Sequence, residues 1–121
     1  MTDFSNEEIV SGTTPSYTAT LRDGAGNGLG PSGLTALTLT LRDGLTAEIV
    51  NAVSAVNILN TGRGTLSAGG ALVITLTAAD TAARTTRRRE RLRLHIAWTL
   101  VGGEAGAHLA EFWVQNPAGT T

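Results

Sequence analysis

The run Arg84-Thr85-Thr86-Arg87-Arg88-Arg89-Glu90-Arg91-Leu92-Arg93 places six guanidiniums within ten positions, the densest charge in the chain. Clustered guanidiniums do one kind of chemistry well: they pair bidentately with carboxylate or phosphate oxygens. Two uses follow, docking on the acidic surface of a neighbouring subunit or binding phosphate, beside the plain alternative of a solvated strand face. No aromatic residue is interleaved with the run to stack bases, which disfavours nucleic acid. Bond-making chemistry has no evident members. His95 and His108 are the only histidines, and cysteine is absent, which removes thiolate nucleophiles, disulfides and cysteine-type zinc sites. No serine sits in a nucleophile elbow. His108 and Glu111 on one strand point to opposite faces and cannot share a metal. Asp23-Gly24-Ala25-Gly26-Asn27-Gly28 lacks the oxygen ladder and closing glutamate of a calcium loop, and no helix follows its glycines to hold a dinucleotide phosphate. These residues predict no enzyme, no cofactor and no small-molecule substrate.

The elements that must carry the arginines are strands. Thr18-Ala19-Thr20-Leu21-Arg22-Asp23-Gly24 and Thr38-Leu39-Thr40-Leu41-Arg42-Asp43-Gly44 repeat almost letter for letter, each an alternation at period two that runs into an Asp-Gly turn signal. Glycine there is expected to supply the backbone freedom of a tight turn. Residues 24–33 form a glycine-rich connection. Residues 47–50 read as a short continuation strand, Val53 to Leu59 as another strand, and residues 71–77 as the next. Thr77-Ala78-Ala79-Asp80 has the spacing of a capping box. Arg91 to Val101 is the clearest strand, with Leu92, Leu94, Ile96, Trp98 and Leu100 alternating with Arg91, Arg93, His95, Ala97 and Thr99. A turn over residues 102–106 returns the chain through Ala107 to Gln115. Seven to eight short strands with one helical turn near residues 78–83 predict an all-β, two-sheet antiparallel sandwich of immunoglobulin-like topology. A jelly roll is the competitor. The sandwich spans residues 15–116, residues 1–14 are an arm or edge strand, and residues 117–121 are a tail. Without a disulfide the core relies on apolar burial, with Trp98 as its expected centrepiece.

If the last hairpin turns at Glu104, Trp98 meets Ala110 and Ile96 meets Phe112 on the core side. His95 then lies beside Trp113, and Arg93 beside Gln115, on the other. Trp113 is out of phase with Phe112 and Val114, so burial of those two turns it outward; the opposite phase would bury Leu109 and Trp113. An outward tryptophan among arginines has the make-up of an interface anchor. The candidate interface is therefore Arg87, Arg88, Arg89, Arg91, Arg93, His95 and Trp113.

At 121 residues the chain fits one core, and its 16% charged residues fall below the globular norm, which implies surface covered by partners. The net charge of −1 excludes a generally basic nucleic-acid binder. Charge is nonetheless separated, with acidic residues prevailing over residues 1–52 and arginines over residues 84–121. No apolar run reaches the roughly 20 residues that span a bilayer. The acidic N-terminal residues are the opposite of a secretory n-region, so no membrane partner is expected.

Residues Tyr17 to Asn27, Leu34 to Asp43, the turn at Ala78-Ala79-Asp80-Thr81, and Leu92 to Trp98 together resemble the immunoglobulin-like domain of tailed-phage structural proteins, and are similar to the N-terminal domain of phage baseplate upper proteins. The resemblance implies a virion component, assembled in the host cytoplasm, that docks on other virion structural proteins, including copies of itself. Baseplate proteins continue beyond this domain into receptor-binding parts. Ending after one domain favours a capsid decoration or spike-base protein, with a neck, tail or baseplate accessory as the alternative. A carbohydrate-binding sandwich is the alternative of another class. Such modules present several exposed aromatics, and this chain has five aromatic residues in all.

Overall fold

Leucine alternating with threonine or arginine builds the larger sheet. In a computed structural model describing residues 2–61 and 63–117, Leu37, Leu39 and Leu41 of β3 (Leu34–Asp43) lie fully buried. So do Leu92, Leu94 and Ile96 of β7 (Arg89–Leu100). The two strands pair antiparallel with Leu39 opposite Ile96, so both apolar rows share one face. The β8 strand (Ala105–Gln115) adds Ala110, Phe112 and Val114 to that face. Completing the sheet are β4 (Val56–Asn57) and β1 (Thr2–Val10), in the order β1-β8-β7-β3-β4. Opposite it stand β2 (Ser16–Thr20), β6 (Ala71–Thr75) and β5 (Gly64–Leu66), in the order β2-β6-β5, lending Tyr17, Leu72, Ile74 and Leu66 to the core.

This strand order is that of an immunoglobulin-like sandwich, in which the second, sixth and fifth strands face the eighth, seventh, third and fourth. A jelly roll distributes eight strands over two Greek keys and does not give this five-and-three division. All neighbours run antiparallel except β1, which pairs parallel with β8 and shifts register between Phe4 and Glu8. The helical turn α1 (Ala78–Thr81) is held by the capping box expected of it. Asp80 N donates to Thr77 Oγ1 at 3.2 Å, and Thr77 N donates to Asp80 Oδ2 at 2.8 Å.

Several expectations are corrected. The strand predicted at Val53 to Leu59 shrinks to the two residues of β4. Inside that span Ala55 takes a φ of 50°, a left-handed conformation that a strand cannot contain, and Ala52 and Asn60 do the same just outside its two ends. Residues 47–50 contribute only an isolated bridge between Arg42 and Ile49, after Ala47 at φ 62°. The β5 strand arises where no strand was expected. Turning at the repeated Asp-Gly pairs does not use glycine's freedom. Asp23 Oδ1 accepts from Ala25 N and Asn27 N, Asp43 Oδ1 accepts from Leu45 N and Thr46 N, and neither Gly24 nor Gly44 has positive φ. Gly44 is required for another reason: a Cβ there would stand 2.5 Å from Arg91 Cβ.

Trp98 is not the centrepiece. Its place near the end of β7, opposite Gly106, leaves it half-buried against the leucine core. Any Cβ at Gly106 would press into the Trp98 indole. Gly106→Val is therefore expected to displace the ring and cost about 2 kcal/mol, the usual range for overpacking, read as a lowered denaturant midpoint.

Candidate docking site

Pairing of β7 with β8 brings the arginines and Trp113 together, in a register displaced by four residues from the expected one. Leu100 N donates to Glu104 O and Gly103 N to Leu100 O, so the hairpin turns over residues 101–103 and not at Glu104. Arg91 consequently stands opposite Trp113, Arg93 opposite Glu111, His95 opposite Leu109, and Trp98 opposite Gly106. An even displacement keeps every residue on its face. Phe112 and Val114 are buried, and Trp113 is half-exposed on the outer surface of the sheet.

There two guanidiniums stack on the Trp113 ring, with Arg89 Cζ 4.4 Å and Arg91 Cζ 5.7 Å from its centroid. Such stacking fixes a large ring at the surface. Arg93 Nε donates to Glu111 Oε1 at 2.9 Å, while Arg91 Nη1 reaches Glu111 Oε2 at 3.4 Å. Arg87 and Arg88 are exposed on the loop before β7, with no carboxylate partner among the described residues. His95 is half-buried in the middle of the sheet, opposite Thr40 and Leu109, and does not join Trp113.

The loop that presents Arg87 and Arg88 is anchored from beneath. Buried Glu90 accepts from Arg84 N at 3.1 Å, Thr85 N at 2.6 Å and Thr85 Oγ1 at 2.5 Å. Arg84 Nη2 donates to Asp43 Oδ2 at 2.9 Å and to Arg91 O at 3.0 Å, tying the loop to the end of β3 and to β7. Burial works to raise the Asp43 carboxyl. Hydrogen bonds from Thr46 N, Arg84 and Leu45 N outweigh it and hold the group below its ordinary 3.8. These supports were missed in the sequence, although Glu90 inside the arginine run and the Asp of the repeated turn were their visible signal.

Between the 43–46 turn and the 85–91 segment opens a cleft of about 260 Å³, lined among others by Asp43, Leu45, Arg87, Arg89, Glu90 and Trp113. On its rim Leu45 is 61% exposed, with Ile49 nearby in sequence at 39%. His108 faces inward instead, with Nε2 2.7 Å from the Tyr17 hydroxyl, whereas Glu111 lies outward. No cluster of three histidine or carboxylate side chains able to hold a metal forms among the described residues.

No protein-family model and no curated protein matches this sequence. Among solved structures it is similar to the N-terminal Ig1-2 module of the Drosophila receptor protein tyrosine phosphatase DLAR, at 14% identity and a TM-score of 0.42. That match covers 96% of this chain and 47% of the other, so the chain spans about half the length of the module. The likeness is loose, and the immunoglobulin-like assignment stands on the strand order.

Proposed function

We propose that this chain is a non-enzymatic structural protein that acts by docking, and that the surface it docks with is the arginine-flanked Trp113 end of the larger sheet. The observation that carries the reading is the outward tryptophan with Arg89 and Arg91 stacked on it. Tryptophan and arginine are the residues most enriched where interfaces concentrate their binding energy. Arg87 and Arg88 extend the positive surface beside it, so the partner surface is acidic, and attraction between the opposite charges would speed its approach.

The resemblance of residues 15–116 to domains of tailed-phage structural proteins supplies the setting: a virion, with the chain as a capsid decoration or spike-base subunit on other virion proteins. A neck, tail or baseplate accessory would use the same surface. Many copies on a lattice can hold through avidity with a modest interface each. Mass spectrometry of purified particles is expected to find the chain at a copy number that matches a symmetric ring or lattice. Trp113→Ala is expected to reduce incorporation at least about tenfold, as loss of a hot-spot tryptophan does, with the circular dichroism of the free protein unchanged. Absence from particles, or incorporation indifferent to Trp113, would overturn the reading.

A further inference from the structure

The smaller sheet leaves one strand edge without a partner. Within it β2 pairs with β6 alone. Leu76 N donates to Pro15 O at 2.9 Å and Leu21 N to Gly70 O at 2.8 Å, so the alternate residues Pro15, Tyr17, Ala19 and Leu21 turn their backbone polar groups toward β6. Ser16, Thr18 and Thr20 therefore turn theirs away from it, and among the described residues no other strand and no isolated bridge meets them. Their side chains are exposed on the outer face, while Tyr17 is buried and Ala19 half-buried on the inner one. Edge strands of monomers are blunted by charge, proline, bulges or a covering segment. No residue from Ser16 to Thr20 is charged, and the register with β6 is unbroken. Pro15 adjoins the stretch at a position whose backbone faces β6, so its missing N–H takes no donor from the open edge. The other edges are less suited to pairing: β4 and β5 are two and three residues long, and β1 is acidic in sequence, with Asp3, Glu7 and Glu8 setting like charge against a second copy.

We propose that the β2 edge pairs with the β2 edge of a second copy of this chain, antiparallel about a twofold axis at Thr18, joining the two smaller sheets into one continuous sheet. A twofold contact uses the same patch on both subunits, and this row of outward amides is its own antiparallel complement. In that register Thr18 exchanges both N–H···O bonds with its counterpart, and Ser16 does so with Thr20 of the second copy. The outer face then carries serine opposite threonine and threonine opposite threonine, cross-strand pairs that stabilise a sheet through their hydroxyls. On the inner face Ala19 comes beside the second copy's Tyr17. Arg22 falls opposite Thr14, so no like charges meet. This surface lies on the other sheet from Trp113, and its pairing holds or fails independently of the docking reading.

Sedimentation velocity of the whole chain over a concentration series tests the pairing. An equilibrium between monomer and dimer is expected, with the Ser16, Thr18 and Thr20 amides gaining protection from hydrogen exchange as the dimer fills. Thr18→Lys sets two ammonium groups against each other at the axis and is expected to raise the dimer dissociation constant at least about tenfold at low salt. That substitution removes no bond to β6, so the circular dichroism of the monomer should stay unchanged. Thr18→Val keeps a β-branched, uncharged side chain and should dimerise as the native chain does. Amide protection in the native chain decides the matter independently of either variant. A chain that stays monomeric at every concentration, a dimer indifferent to Thr18→Lys, equal dissociation of Thr18→Val, protection gained on another strand instead, or open-ended polymers would each overturn the proposal.

Discussion

Arg63→Ala is expected to lower the stability of the fold by about 3 kcal/mol, the cost of stranding a buried carboxylate whose partner is removed. The carboxylate is Asp80, fully buried in α1, which accepts from Arg63 Nη1 at 2.6 Å, Arg63 Nη2 at 2.9 Å, Asn51 Nδ2 at 2.8 Å and Thr77 N at 2.8 Å. Four donors on one carboxylate join the start of β5, the left-handed residue at 51 and the turn before β7. Burial alone would raise the Asp80 pKa. Hydrogen bonds from Arg63, Thr77 N and Asn51 prevail and lower it from 3.8 to about 2. A carboxyl with a depressed folded-state pKa stabilises the protein above its unfolded pKa, and that contribution disappears as pH falls through the folded value. The native protein should therefore lose stability between about pH 5 and pH 2. Asp80→Asn should be less stable at neutral pH and show a flatter profile over that window. Urea titrations at a series of pH values measure both, and equal slopes for the two proteins would contradict the assignment.

Leu94→Ala is expected to cost about 3 kcal/mol, within the range for emptying a fully buried leucine site, whereas His95→Ala, one position along, should change stability by no more than about 0.5 kcal/mol. The contrast follows from the pleat. Leu94 has no exposed surface and sits between Leu41 and Ala110 across the strands, while His95 is on the outer surface opposite Thr40 and Leu109. Comparable losses for both, measured by thermal unfolding, would mean that the register drawn between β3, β7 and β8 is wrong.

What was legible in the sequence is what depends on near neighbours. The leucine alternation of residues 37–41 and 92–96 fixes which face is buried, and the Thr77–Asp80 box is a contact across three positions, so both are readable without knowing the rest of the chain. Trp113 could be turned outward correctly even with the hairpin register displaced, because an even displacement preserves the face. The displacement itself came from residues 102–106, where three glycines allow several turns and only the closing bonds between Leu100, Gly103 and Glu104 choose one. Contacts between distant elements were not visible. Arg63 meets Asp80 across 17 positions, and nothing local to Arg63 marks it. The Arg84 to Asp43 bond spans 41 positions. The shortened β4 reflects left-handed Ala55, which sequence propensity would not place there, since alanine has no side-chain hydrogen bond to offset that conformation.

The parallel pairing of β1 with β8 bears on how the molecule carries load. Thr2 lies beside Leu109 and Val10 beside Gln115, so tension applied between the two chain ends pulls these neighbours lengthwise past each other. Their ladder must then fail many bonds together instead of unzipping one at a time. The interruption between Phe4 and Glu8 splits it into two clamps in series along the strand, and a protein tethered by its ends would resist extension until both had slipped.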